Sequence, residues 1–319
     1  MSETTTFTSL DNAAGIDISS ISSLDNLLKT ANLDFDILQD SIFTPEGEEI
    51  KDKTLLRRSD NKHILGVVGS KYTPVNTRTM LEPFHEVVQQ YNATYESAGV
   101  IRGGKKCWIS ATMPGSFTVP GRSEDVINQR IVCLISNDGL GRNAYFTLAN
   151  RLMCNNQLRL IMDQANKSQY SLHHTKNWER QFSAATEGFR EAIKAQARFE
   201  EIVGTLSEVK MTTGEIEVFT RHLYNLHDQK VQTPQALKRE EQMKVLFVRG
   251  QGNLGESRWD ALNAVTELLD HHRNRKSKTK IGARRSLENR FIRNNLSGSG
   301  DSIKQRAVSL LLEHDGKFK

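Results

Sequence analysis

Residues 129–148 read QRIVCLISNDGLGRNAYFTL, and this stretch decides the fold. Gln129–Ser136 and Ala144–Leu148 are β-branched and aromatic runs of strand length. The connection Asn137-Asp138-Gly139-Leu140-Gly141 is short and glycine-rich, as a hairpin requires. A parallel pair would need a crossover of about a dozen residues or more, so these strands must pair antiparallel. Working outward, Ala98–Arg102 leads into the turn Gly103-Gly104, and Lys106–Met113 returns from it. His63–Pro74 is an earlier β-branched run, and Thr77–Tyr91 places Met80, Leu81, Phe84, Val87 and Val88 at helical spacing. Strands in succession joined by tight turns make an antiparallel meander with a β-β-β-α core, not a doubly wound parallel sheet.

Downstream the apolar period lengthens. Cys154–Ala165 is expected to be a helix (Leu158, Ile161, Met162), Tyr170–His174 a short strand, and Asn177–Val203 one long helix. Thr212 and Thr213 predict a cap for a helix through Leu226, and Gln235–Val248 and Arg258–Arg273 read as two more. The fold class is therefore α+β, the meander being followed by a mostly helical C-terminal half. Three regions are expected: an acidic, weakly structured segment 1–58 with a short amphipathic helix at Ile18–Ala31, an α+β core 59–205, and a helical region 206–319 with a basic tail.

Charge is distributed unevenly. Residues 1–50 hold Lys29 against 10 acidic residues, a net of −9, while 271–319 hold 13 basic and 4 acidic residues, a net of +9. A basic end and an acidic end suit a protein that meets a polyanion and moderates the contact. No window approaches about 18 consecutive apolar residues, so no membrane span is expected. The start MSETTTFTSL has no basic or apolar leader pattern, which points to the cytoplasm. Cys107, Cys133 and Cys154 are odd in number and widely spaced, as for reduced, buried thiols.

Single-stranded nucleic acid is bound by basic grooves interleaved with stacking platforms and amide side chains. Arg142, Arg151 and Arg159 are expected to line a groove between sheet and helix and to neutralise phosphates, with Asn155 and Asn156 placing backbone or base edges. Lys105 and Lys106 follow the first turn. Arg273, Arg275, Lys276, Lys278, Lys280, Arg284 and Arg285 supply further electrostatic affinity. Ser297–Arg306 is a glycine-rich loop entering a helix, where free amides, Lys304 and Arg306 suit an anion; the alternative is a linker with Asp301 or Ser302 as the cap. Trp259 opens an apolar stripe with Leu262, Val265 and Leu269 and is expected in the core.

Other chemistries lack their residues. Neighbouring residues point in different directions, so His173-His174 and His271-His272 form no two-histidine metal face. Gly250-Gln251-Gly252-Asn253-Leu254-Gly255 fits a dinucleotide-binding spacing but follows an expected helix, not a strand. There is no phosphate-binding GxxxxGK[ST] loop, so neither ATP nor another cofactor is expected. Lys71 and Asp138 supply only part of a nuclease set, which needs paired carboxylates.

Four segments, RNAYFTLANRLMCNNQLRL (142–160), YSLHHTKNWERQ (170–181), RWDALNAVTELLDHHRNRK (258–276) and SGSGDSIKQRAVSLLLE (297–313), resemble the phage/plasmid-like family called domain of unknown function 932. The family's strand-ending Arg-x-x-Cys-x-Asn-x-Leu reads Arg151-Leu152-Met153-Cys154-Asn155-Asn156-Gln157-Leu158 here, with Asn156-Gln157 where Asn-Thr is commoner. The resemblance spans about Ser59 to Leu312 and implies a phage, prophage or plasmid setting. The β-β-β-α order is also similar to the core of single-strand annealing recombinases, which use no nucleotide and form rings or filaments. The expected function is ATP-independent binding and annealing of single-stranded DNA, or binding of RNA, by a homo-oligomer. The rivals are a non-enzymatic regulatory protein of a mobile element and a metal-dependent nuclease.

Overall fold

The computed structural model describes residues 15–154, 156–159, 171–172, 174, 177–193, 195–226, 233–272, 279, 286, 289, 293–294 and 298–313. The fold is α+β. Strands β1 (Ile16–Asp17), β5 (Thr94–Ile101), β6 (Lys106–Val119), β7 (Arg122–Ser136), β8 (Asn143–Arg151), β9 (Asn156–Arg159) and β10 (Ser171–Leu172) form one antiparallel sheet. From β5 to β9 spatial order follows chain order, so this is a meander, with Lys106 opposite Ser136 and Leu134 opposite Ala144. β9 and β10 share the outer edge of β8.

The expected helix at Cys154–Ala165 is corrected at its start: Asn156–Arg159 is a strand laddered onto Leu148–Arg151. Leu158, Ile161 and Met162 imitate a helical stripe, but four residues are too few for alternation to show; residues 160–165 lie outside the described set. The loose acidic segment is corrected as well over its described residues, 15–58. Helix α1 (Leu24–Thr30) is capped by Ser23, and β2 (Ile37–Phe43), β3 (Glu49–Arg58) and β4 (Ile64–Gly69) form a three-stranded antiparallel sheet.

One face of the meander carries Cys107, Ile109, Ala111, Ile131, Cys133 and Ile135. It packs against Ile18, Leu27, Leu28, Leu33 and Phe35 and against Met80, Leu81, Phe84 and Val87 of α2 (Thr77–Gln90). Burial of each such side chain contributes about 1.5–3 kcal/mol, so the early segment belongs to the core.

Within the long helix expected at Asn177–Val203, the described residues are helical as α3 (Trp178–Ile193) and α4 (Ala195–Glu208), and Lys194 between them lies outside the described set. Thr212 caps α5 (Thr213–Leu223) through a reciprocal bond pair with Glu215, as its sequence predicts. Helices α6 (Pro234–Arg249), α7 (Arg258–Glu267) and α8 (Ser299–Glu313) follow, and α7 runs on as a π-helical turn, Leu268–His272. A second core joins these helices to Phe117, Val119, Ile127, Ala149 and Leu158 of the sheet. α7 lies at its centre and is buried all round, so its polar residues each need a partner.

Candidate nucleic-acid interface

Two adjoining turns at one end of the meander carry basic residues. The β5–β6 turn, Arg102–Gly104, has Arg102 at φ 51° and Gly103 at φ 71°, left-handed values that glycine adopts without strain. A Cβ on Gly103 would stand 2.4 Å from the His63 ring, so His63 lies directly over this turn. Lys105 and Lys106 follow it half-buried, and Arg142 is exposed on the neighbouring β7–β8 turn. Exposed Lys62 adjoins His63. Arg102 donates to the Asn289 side chain, so Asn289 touches this end of the sheet.

Lys106 has a partner of its own. Its Nζ lies 2.6 Å from Ser136 Oγ and 3.0 Å from Asp138 Oδ1, and Asp138 also accepts from the Leu140 amide at 3.0 Å. This ion pair shapes the β7–β8 turn and leaves Lys105, Arg142 and Lys62 as the more accessible cations. Asp138 is therefore committed to Lys106 and does not form a nuclease pair with Lys71. Among the described residues no group of three or more His, Cys, Asp or Glu is placed to hold a metal.

Behind this turn His174 stacks on Tyr72 with ring centroids 4.6 Å apart. Burial pushes its imidazole down to about 4, so it is neutral at pH 7. Burial also drives the three thiols up, Cys107 to about 12 and Cys154 to about 11, so they are inert core residues.

Arg151 is a correction. It is 2% exposed and cannot reach a phosphate. Its guanidinium donates to both Asp125 oxygens at 2.6 Å, to the carbonyls of Gln251 (3.0 Å) and Gly252 (2.9 Å), and to Asn253 Oδ1 at 3.1 Å. Asp125 also accepts from Trp259 Nε1 at 3.0 Å, so Trp259 is a core residue with a polar anchor, as expected of it. Beside this, Arg122 pairs with buried Asp260 at 2.6 Å. Burial raises the Asp260 carboxyl, but the Arg122 bonds and local amides bring it below its ordinary value. The Gly250–Gly255 loop follows α6, as a dinucleotide turn would not. Gly252 (φ 73°) has no room for a side chain, since a Cβ there would fall 2.8 Å from Arg151 Nη2.

Lys304 is a second correction. It is fully buried, with Nζ 2.7 and 2.8 Å from the Asp270 oxygens, and so clamps α8 to the end of the π turn. Arg306 is exposed but donates to the His222 carbonyl at 2.8 Å, closing the C-terminus of α5. Asn156 is 3% exposed with neither amide atom bonded; it lines a small pocket with Trp259, Asn263 and Thr266 instead of an open groove. Arg159 sits on β9, at the sheet edge. Asn155, Arg273, Arg275, Lys276, Lys278, Lys280, Arg284 and Arg285 lie outside the described residues. Sequence reasoning missed Arg102, Lys62 and His63 as neighbours of the basic turns; the glycine pair after Arg102 was the available signal.

Among the described residues no helix is long and apolar enough to cross a membrane. No curated protein and no solved structure matches the chain. One family profile does match, over residues 64–291, which covers the meander, the basic turns and the buried Asp125–Arg151–Trp259 network. The chain thus belongs to the family described as Domain of unknown function (DUF932).

Proposed function

We propose that this protein binds single-stranded nucleic acid through the basic end of its meander, and that it anneals strands without ATP in phage or plasmid DNA metabolism. The observation that carries this reading is the position of Lys105 and Arg142 on adjoining turns, with Arg102 bonded to Asn289 of the basic C-terminal stretch. Residues 271–319 hold a net charge of +9, and the buried pairing of Arg151 and Lys304 leaves that role to the turns and the run between the helices. Phosphates attract such a surface whatever the sequence, as annealing requires. The protein acts in the cytoplasm of its host as a homo-oligomer, and needs no cofactor.

The test is binding and annealing of complementary labelled oligonucleotides, with and without magnesium and without ATP. Binding and strand pairing in the absence of both support the reading. Magnesium-dependent degradation would favour the nuclease, and no binding at all the regulatory protein.

A further inference from the structure

The β2–β3 hairpin runs past the sheet that carries it. β4 pairs only with Lys53–Arg57, so the ribbon beyond, from Ser41 to Asp52, projects as two strands. Its tip is ordered. The Thr44 amide donates to the Glu48 carbonyl at 2.8 Å, the Gly47 amide to the Thr44 carbonyl at 2.9 Å, and Ser41 Oγ to Glu49 at 2.6 Å. Phe43 stands 58% exposed on this arm. Glu46, Glu48 and Glu49 around it are exposed too, with Lys51 beside them, while exposed Asp52 is paired with Lys53 at 3.8 Å, so the tip stays acidic. The arm thus presents one exposed aromatic ring among carboxylates.

A complementary surface lies on α6. Ala236, Met243, Leu246 and Phe247 bury its inner face, while Leu237, Val245 and Val248 are 51%, 46% and 45% exposed on the other. Gly255 packs its bare Cα on Val248, where a Cβ would fall 3.1–3.4 Å from Val248 atoms, and this sets Leu254 (60% exposed) beside the stripe. Exposed Lys238 and Arg249 flank it and outnumber exposed Glu241, which lies within the stripe between Leu237 and Val245.

We infer that the arm of one copy docks on α6 of the next, Phe43 against Val245, Val248 and Leu254, with the arm's carboxylates facing Lys238 and Arg249. The two patches differ, so the contact is head-to-tail and propagates into a ring or filament. This deepens the self-association part of the reading above and does not depend on nucleic acid.

The test uses the full chain without oligonucleotide, at low salt, by light scattering after size exclusion. The wild type should exceed one protomer, and Phe43→Asp and Val245→Asp should each run as a protomer with an unchanged melting temperature. Mixed in equal amounts, the two variants should form a two-protomer species, because one intact contact remains between an unaltered arm and an unaltered helix. Should either variant fold poorly, the charge swaps Glu46→Lys with Glu48→Lys, and Lys238→Glu with Arg249→Glu, replace them: each should run alone as a protomer, and the mixture, in which both contacts are again complementary, should return to assemblies larger than two protomers. A monomeric wild type, single variants of wild-type mass, or a mixture that stays at one protomer would each overturn the inference. Because no oligonucleotide is present, such a failure leaves the nucleic-acid proposal standing.

Discussion

Arg151 and Arg142 look alike in the chain and differ completely in the fold. Arg151 gives its guanidinium N–H groups to Asp125, the 251–252 carbonyls, Asn253 and Cys154, whereas Arg142 is exposed on a turn. Removing one partner of a buried pair leaves the other charge uncompensated, at a cost of about 3–5 kcal/mol. Arg151→Ala should therefore lose about that much stability in urea denaturation. Arg142→Ala should melt with the wild type and bind single strands more weakly. Nothing in RLMCNNQL marks Arg151 as buried, because its partner Asp125 and the 251–253 carbonyls come from distant segments.

His174 gives a second residue-scale expectation. Its folded value lies near 4, below the ordinary 6.5, because burial disfavours the cation. Between those values the unfolded chain binds a proton that the folded chain does not. His174 thus costs nothing above pH 6.5, and stability falls as pH drops through the window, by up to about 3 kcal/mol near pH 4. His174→Phe keeps a ring against Tyr72 and should flatten that acid limb in denaturant titrations at several pH values.

At the scale of elements, the strands with strong punctuation were legible. β6, β7 and β8 carry apolar runs between glycine-rich turns, and the Thr212–Glu215 cap announces α5. β2 and β3 were not, since Glu46–Lys53 is charged on both faces of a projecting ribbon and offers no alternation. β9 was hidden by its length. α7 reads as amphipathic, yet Asp260 and Asp270 are buried because Arg122 and Lys304 reach them from other elements. That second pair predicts an element-level effect. Lys304→Ala should cost about 3–5 kcal/mol, and should release α8 first, visible as faster amide exchange across Ser299–Glu313 than in the meander.

At the scale of the whole molecule, the charge asymmetry acquires a form. The acidic part is a helix, a sheet and a projecting arm whose apolar residues Ile18, Leu27 and Phe35 are built into the first core, so it is an integral part of the protein. From the C-terminal part, Asn289 meets the meander at Arg102. The candidate site was legible in its charge and in Lys105 and Arg142, and illegible in which cations are spent internally, because burial is a property of the fold.

The central claim is tested most directly by the salt dependence of single-strand binding, read by fluorescence anisotropy. If about five phosphates are neutralised, log affinity should fall against log salt with a slope near −3.5, and Arg142→Ala should reduce that slope by about 0.7. A flat salt response, or a slope that Arg142→Ala leaves unchanged, would contradict an interface at the basic end of the meander.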